Sequence, residues 1–196
     1  MAVSFPPASA PRENLFFGLL LEGAVAGKVE RLARRLREAH GLHGKLTAPV
    51  RLHMTLLWLG GHAGGVPQDV LDCALDAGGR VSQPAFAVEL DRVLSFAGRR
   101  EHPFVLCGAA DGVAGPMALH QALWAAVYRS AAPAAPFTPH VTLLRDAIRV
   151  PSHPVTPVRW QARAFSLLLN RVGSGAPYVE LGRWPLAQGP QLTPSS

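Results

Sequence analysis

Two short segments of this chain carry the same run of a histidine, a variable residue, a threonine and two leucines. They are His53–Leu57, which reads HMTLL, and His140–Leu144, which reads HVTLL, and they lie almost half the chain apart. An imidazole with its ordinary pKa of about 6.5 can accept or donate a proton near neutral pH, and a threonine hydroxyl can donate a hydrogen bond to a phosphate oxygen. The repeat therefore points to acid and base chemistry on a phosphate ester, and an internal duplication explains it better than chance.

Each segment shows the alternating polarity of a β-strand, in which residues two positions apart lie on the same face. His53 and Thr55 therefore share one face of their strand, and His140 and Thr142 share one face of theirs. The intervening residues are aliphatic and can anchor each strand in a core. Two lobes related by a pseudo-twofold axis would bring both pairs together across a central cleft.

Such a cleft suits the hydrolysis of a phosphodiester. One neutral imidazole can take a proton from the attacking water while the other, protonated, donates to the leaving oxygen, which predicts a bell-shaped pH profile near neutrality. The two threonine hydroxyls can donate to the non-bridging oxygens as charge develops. No metal ion is needed, and two histidines are too few ligands to hold one.

A single His-x-Thr triplet would be interpreted as a buried strand histidine followed by a threonine that suits a β-strand. Two copies with the same flanking leucines favour a functional site over that alternative. His120 is predicted to pack beside the apolar stripe of a helix, or to lie on the surface, rather than to bind a ligand. The other histidines have no comparable context and are expected on the surface or in loops: His40, His43, His62, His102 and His153.

Apolar periodicity predicts helices interleaved with strands, and therefore an α+β fold. The helices are expected at Val25–Gly41, Pro67–Gly79 and Met117–Arg129. The strands are expected at Leu15–Leu21, Val50–Leu59, Ala85–Leu90, Phe104–Cys107, Phe137–Leu144, Phe165–Leu169 and Tyr178–Leu181. We expect a flexible arm at residues 1–13, one bilobal domain at 14–186 and a tail at 187–196.

Composition limits the class of protein. With 48% hydrophobic and 16% charged residues, the chain has enough apolar surface to fold, which excludes wholesale disorder. The net charge of +6 fits a polyanionic partner such as nucleic acid, but 17 of the 19 cations are arginine, which is equally typical of a GC-biased coding sequence. Two isolated cysteines, Cys73 and Cys107, favour a reducing, cytoplasmic location. The apolar run Leu15–Leu21 is too short to span a membrane, so no membrane partner is expected.

The flanks of the two motifs resemble those of a known family. The segment Leu52–Gly60 is similar to the pattern Leu-His-x-Thr-Leu-x-Phe-Leu-Gly, and Pro139–Arg145 is similar to Pro-His-x-Thr-Leu-Ala-Arg. These are the motifs of the two-histidine phosphoesterase superfamily, and in particular of its RNA 2′,3′-cyclic phosphodiesterases, which are also called 2′-5′ RNA ligases. Leu15–Phe17 and Tyr178–Leu186 resemble the first and last strands of that family, so the resemblance covers roughly residues 14 to 186.

The resemblance implies two pseudo-symmetric α+β lobes, with antiparallel sheets flanking a central cleft and helices on the outside. It also implies that His53 is the proton donor to the departing ribose oxygen, that His140 is the base that activates water, and that Thr55 and Thr142 hold the phosphate. The implied reaction converts a terminal 2′,3′-cyclic phosphate of RNA to a 2′-phosphomonoester, with weak reverse ligation. We expect a monomer that acts on RNA 3′ ends or on a cyclic nucleotide and needs no cofactor.

Two arginines are further candidates for phosphate contacts. Arg145 matches the second family motif, although strand parity places it opposite His140 unless the strand ends or bulges first. Arg51 shares the parity of His53. The sequence departs from the family at Ala135–Phe137, which lacks a frequent arginine, and at His102–Cys107. Two alternatives stay open: a two-histidine enzyme for a small cyclic nucleotide or ADP-ribose cyclic phosphate, and a non-catalytic module that binds RNA ends.

Overall fold

The computed structural model describes residues 12–130 and 136–187 of the protein, which form one antiparallel sheet and three helices. The strands are β1 (Arg12–Leu20), β2 (His53–Ala63), β3 (Phe86–Ser95), β4 (His102–Cys107), β5 (His140–Asp146), β6 (His153–Ala162), β7 (Ala164–Arg171) and β8 (Val179–Pro185). The helices are α1 (Gly23–Ala39), α2 (Gln68–Arg80) and α3 (Ala114–Tyr128). The predicted α+β class is confirmed.

The helices form where apolar residues recur at helical spacing. On α1 the buried positions are Ala26, Val29, Ala33 and Leu36, and the arginines occupy the exposed face. The helix ends at Ala39, just before Gly41, whose φ of 60° is a left-handed conformation that glycine adopts without strain. All three helices lie within three residues of their predicted bounds.

The sheet consists of two four-stranded halves in the order β6-β3-β4-β5 and β2-β1-β7-β8. The halves meet where β5 lies antiparallel to β2, and a single residue pair, Met54 opposite Val141, joins them. Each of these residues is the middle residue of a His-x-Thr triplet. The predicted lobes are therefore halves of one open sheet, and the repeated motif lies at the junction between them.

The core fills the space between the sheet and the helices. α1 packs on β5 and β6, α2 on β7 and β8, and α3 on β2 and β3. The aliphatic rows of the two motif strands face this core, and Met54, Leu56, Val141 and Leu143 are each at most 1% exposed. Because side chains alternate along a strand, the histidines and threonines between these residues face away from the helices.

The sequence interpretation missed strand β6. This strand carries Pro154 and Pro157, and proline is a signal against a strand because it cannot donate to the ladder. Here β6 is an edge strand, where that donor is dispensable, and His153 begins the strand instead of lying in a loop. The flanking strands also reach further than expected: β1 includes Arg12, and Ala187 pairs with Pro84. Residues 1–11 and 188–196 of the expected arm and tail lie outside the described residues.

Two further observations bear on the composition. Cys73 is exposed on α2 and Cys107 is buried in β4, and both are free thiols. Across the described ranges, no helix has the length and hydropathy required to cross a lipid bilayer.

Candidate active site

The junction of the two half-sheets forms one cleft with a volume of about 550 Å³. β2 contributes His53 and Thr55 to its lining, and β5 contributes His140 and Thr142. The structure thus brings the two His-x-Thr pairs together in a single cavity. Arg51 and Arg145, the other two candidates from the sequence, also line it.

The two imidazoles are oriented in the same way. Nδ1 of His53 lies 2.9 Å from the carbonyl oxygen of Arg51, and Nδ1 of His140 lies 2.7 Å from the carbonyl oxygen of Thr138. A carbonyl only accepts hydrogen bonds, so Nδ1 carries the hydrogen in both rings and Nε2 is the nitrogen that exchanges protons. In each copy the acceptor is the residue two positions before the histidine.

Thr55 extends this arrangement on the β2 side. Its hydroxyl oxygen lies 3.1 Å from Nε2 of His53. While the ring is neutral, the hydroxyl donates to Nε2. Once the ring is protonated, Nε2–H becomes the donor, and the threonine hydrogen is free to turn toward another acceptor in the cleft.

Burial lowers the pKa of both histidines. The pKa of His53 falls to about 4, mainly because the buried ring is poorly solvated when charged, and also because His140 and Arg51 add positive charge nearby. The pKa of His140 is lowered by burial and by the neighbouring Arg145. Both rings are therefore neutral in the free protein at pH 7. A bound phosphate anion would act in the opposite direction and raise both pKa values.

A bulge brings Arg145 into the cleft. In the pairing of β4 with β5, Val105 lies opposite Thr142 and Phe104 lies opposite Leu144, so Leu143 is an extra residue in its strand. The extra residue reverses the alternation that follows it, and Arg145 returns to the face that carries His140. Regular alternation along the strand predicted Arg145 on the face opposite His140 unless the strand ended or bulged first, and the strand does bulge.

The first motif bulges at the corresponding residue. Thr55 pairs with Gly18 and Leu57 pairs with Phe17, which leaves Leu56 extra. Trp58 consequently turns into the cleft, where it holds the position in the first motif that Arg145 holds in the second. The sequence interpretation missed Trp58, although its equal offset from the histidine was a usable signal.

Aromatic rings surround His53. The ring of Phe16 lies 5.0 Å from the imidazole, and the ring of Tyr178 lies 4.9 Å from it in an edge-on arrangement. Trp58 stacks near Phe16 at 6.4 Å, and half of its surface is exposed. These apolar walls explain why His53 is poorly solvated. On the other side of the cleft, the ring of Phe96 lies 4.9 Å from the imidazole of His140.

Arg51 lines the cleft, but its guanidinium group already has protein partners. It donates to the carbonyl oxygen of Ala176 and, at 3.0 Å, to Oδ1 of Asn170. It also lies 4.4 Å from the centre of the Tyr178 ring, which is within the range of a cation–π contact. Arg51 therefore holds Tyr178 and the loop before it against the cleft. Nothing in the local sequence identified Asn170 or Tyr178, because they come from the other end of the chain.

The donor atoms of the cleft do not form a metal site. Throughout the part of the chain that the structure describes, no three histidine, cysteine, aspartate or glutamate side chains converge closely enough to hold an ion. The cleft instead offers imidazoles, hydroxyls and guanidinium groups, all of which can donate hydrogen bonds to a phosphate.

An open antiparallel sheet with a duplicated His-x-Thr pair at its centre defines a phosphoesterase of the two-histidine class. The model of the 2′-5′ RNA ligase superfamily matches residues 24–171, and the chain belongs to that superfamily. No curated protein matches it in sequence.

Solved structures with the same fold support this assignment. The apo structure of E. coli LigT is 28% identical with a TM-score of 0.69, and the alignment covers 90% of this chain and 99% of that one. E. coli LigT in complex with 3′-AMP is 29% identical with a TM-score of 0.66 over the same shares. The protein TT0787 of Thermus thermophilus is 24% identical with a TM-score of 0.68, covers 89% of this chain and 98% of its own, and shows the fold alone.

Proposed function

We propose that this protein hydrolyses the 2′,3′-cyclic phosphate at the end of an RNA to a 2′-phosphomonoester, with weak reverse 2′-5′ ligation and without a metal ion. The observation that carries the proposal is the meeting of two identically oriented His-x-Thr pairs in one cleft. A single pair could be structural. Two pairs with both Nδ1 atoms fixed leave two Nε2 atoms for a proton transfer on each side of one phosphorus.

In the proposed reaction His140 takes a proton from water, whose oxygen forms a bond to phosphorus. The bond from phosphorus to the ribose 3′ oxygen breaks, and protonated His53 donates to that oxygen. Thr55 and Thr142 donate to the non-bridging oxygens, which carry more charge in the transition state. Exchange of protons with solvent after product release restores both histidines.

The low pKa of His53 fits a donor that becomes charged only when substrate arrives. In the free cleft the imidazolium form is disfavoured by burial and by Arg51. The negative charge of the cyclic phosphate offsets both effects, so binding the correct substrate also protonates the acid. A neutral ligand would leave His53 without its proton.

The aromatic walls support a nucleotide substrate. Trp58 and Tyr178 offer ring surfaces on which a base can stack, an interaction worth about 1–3 kcal/mol per base. E. coli LigT, which is similar to this chain, has been crystallised with 3′-AMP and with NADP+. The second candidate is therefore a two-histidine enzyme for a small cyclic nucleotide or ADP-ribose cyclic phosphate. The free cysteines support a cytoplasmic location, and we expect the monomer to act alone.

The deciding experiment incubates a short RNA with a terminal 2′,3′-cyclic phosphate in EDTA and identifies the product isomer. We expect a 2′-phosphate, full activity under chelation, and loss of most turnover in His53→Ala and His140→Ala. His153→Ala is the matched control, because His153 lies outside the cleft. A folded His140→Ala protein with unchanged turnover, or activity that returns only with a divalent cation, contradicts the mechanism. Tight RNA-end binding without turnover would instead identify a binding module.

A further inference from the structure

A smaller cavity of about 300 Å³ adjoins the cleft on its His140 side. Lys45, Thr47, Thr142 and Arg145 line both cavities, so the two are connected through these residues. Glu101 lines the smaller cavity but not the cleft. We call this space the side cavity.

The side cavity is built by specific contacts between β5 and the segment before β2. The backbone N–H of Thr47 donates to the carbonyl oxygen of Leu143 at 2.8 Å. The carboxylate of Asp146 accepts from the N–H groups of His43 and Gly44 at 2.6 and 2.7 Å. A Cβ at Gly44 would collide with the carbonyl of Arg145, so only glycine permits this close approach. These contacts fix the backbone that carries Lys45.

The charges in the side cavity are unbalanced. Within the described ranges neither Lys45 nor Arg145 forms a salt bridge, even though the carboxylate of Glu101 lines the same cavity. Lys45 and Arg145 therefore stand beside the reaction cleft with their charges free for a ligand. Two adjacent cations and a threonine hydroxyl form a donor set that suits a phosphate.

The two halves of the cleft differ at corresponding positions. Trp58 stands beside His53, and Arg145 stands in the same position relative to His140. The Trp58 half presents aromatic rings, and its cationic candidate, Arg51, is already hydrogen-bonded to Ala176 and Asn170. The other half presents Lys45 and Arg145. A nucleotide is divided in a matching way, because its base is a flat ring that can stack on an aromatic side chain and its 5′ phosphate is an anion that can bind a cation.

We propose that the side cavity binds the phosphate on the 5′ oxygen of the nucleoside whose 2′,3′-cyclic phosphate is hydrolysed. The inference rests on the proposed function and specifies its substrate. The base lies toward Trp58, the cyclic phosphate lies between the histidines, and the 5′ phosphate reaches Lys45 and Arg145. In RNA this group is the preceding phosphodiester, and in a small nucleotide it is a 5′ phosphate or pyrophosphate.

The test compares three substrates that differ only at the 5′ position. They are adenosine 2′,3′-cyclic phosphate with a free 5′ hydroxyl, the same compound with a 5′ phosphate, and the dinucleotide ApA with a terminal 2′,3′-cyclic phosphate. We expect kcat/KM to be about tenfold higher for the two that carry a 5′ phosphate, the effect of about one charged hydrogen bond. Added salt should reduce this advantage, because it screens the cations. An advantage of the dinucleotide alone would identify the phosphodiester of RNA as the ligand.

Two variants that should change the preference for the 5′ phosphate in opposite directions test the assignment to these residues. Lys45→Ala should remove most of the preference for the 5′ phosphate, and Glu101→Gln should increase the preference because it removes a repulsive charge. Lys28→Ala is the matched control, because Lys28 is the only other lysine and lies on α1 outside both cavities.

The outcomes separate this inference from the proposed function. If kcat/KM is equal for all three substrates and Lys45→Ala does not change it, the side cavity does not bind the 5′ phosphate. The proposed hydrolase activity is unaffected by that result. If none of the three substrates is hydrolysed, the proposed function fails. Calorimetry that compares the binding of 2′-AMP with that of adenosine 2′,5′-bisphosphate still tests whether the side cavity binds a 5′ phosphate. Tighter binding of the bisphosphate, lost in Lys45→Ala, supports it. Equal binding of the two ligands overturns it.

Discussion

Nδ1 of His120, on α3, lies 2.7 Å from the carbonyl oxygen of Leu56, the extra residue of the bulge in β2. A bulged residue is left out of the sheet ladder, so its carbonyl needs a donor from elsewhere. In the second motif the carbonyl of Leu143 has the same need and accepts from the backbone N–H of Thr47. The carbonyl groups at these corresponding positions of the duplicated motif thus accept a hydrogen bond from a side chain in one half and from the main chain in the other.

His120→Leu should destabilise the protein by about 1–3 kcal/mol, because it leaves the carbonyl of Leu56 buried without a donor. His120→Asn can place an amide N–H near the same position and should recover a large part of the loss. Urea denaturation of the three proteins measures the difference. Equal stability of the leucine and asparagine variants would show that the hydrogen bond does not matter.

The threonines should contribute less than the histidines to turnover. Thr142→Val preserves the shape of the side chain and removes its hydroxyl, and we expect kcat to fall by about 10²–10³-fold, the usual effect of one lost oxyanion donor. Thr142→Ser keeps the hydroxyl and should retain most activity. Single-turnover rates test the pair, and equal rates for valine and serine would show that the hydroxyl does not touch the phosphate.

Sequence periodicity was sufficient for the fold class and for the faces of the motif strands. The alternation around Met54 and Val141 placed the histidines opposite the core, and helical spacing located all three helices. Local patterns could not reveal β6, because Pro154 reads as a strand breaker until the strand is known to be an edge. The bulges that turn Trp58 and Arg145 into the cleft depend on pairing with other strands.

The remaining parts of the site depend on long-range contacts. Tyr178 lies beside His53, where Phe16 and the Arg51 guanidinium both contact its ring. Lys45 is placed by hydrogen bonds between its loop and β5, about a hundred residues later. Neither relationship leaves a signal in the residues near the motif, so a single sequence could not predict them.

The pH profile should lie further to the acid side than unperturbed histidines predict. Burial lowers the pKa of both His53 and His140, and kcat/KM reports the free enzyme, so its maximum should fall below pH 6.5. The bound phosphate raises both pKa values, so the maximum of kcat should lie at a higher pH. Parallel measurement of both parameters from pH 4 to 8 tests this. Coinciding maxima would contradict the role given to substrate charge.

His53 should also make the fold sensitive to acid. Its pKa is lower in the folded state, about 4, than in the unfolded state, so its contribution to stability is complete above pH 6.5 and is lost as the pH falls toward 4. At pH 5 the loss from this residue is about 2 kcal/mol. His53→Gln cannot be protonated, so its free energy of unfolding should fall less between pH 7 and pH 5. The same fall in both proteins would mean that His53 is well solvated.

Arg51 should affect the reaction in two separable ways, because its guanidinium holds Tyr178 and its charge lowers the pKa of His53. Arg51→Lys keeps the charge but loses the planar fork that reaches Asn170 and Ala176 together, so KM should rise while the acid limb of kcat/KM stays in place.

Arg51→Gln removes both properties. KM should rise again, and the acid limb should now move to higher pH, because a cation that opposed protonation of His53 is gone. The Arg51 carbonyl that accepts from Nδ1 of His53 is main chain and survives both substitutions, so the tautomer of the ring is unchanged. The two pH profiles, measured on adenosine 2′,3′-cyclic phosphate, separate the effects: a shift in the glutamine variant alone supports the electrostatic role, and equal shifts in both variants assign the effect to the displaced Tyr178 ring.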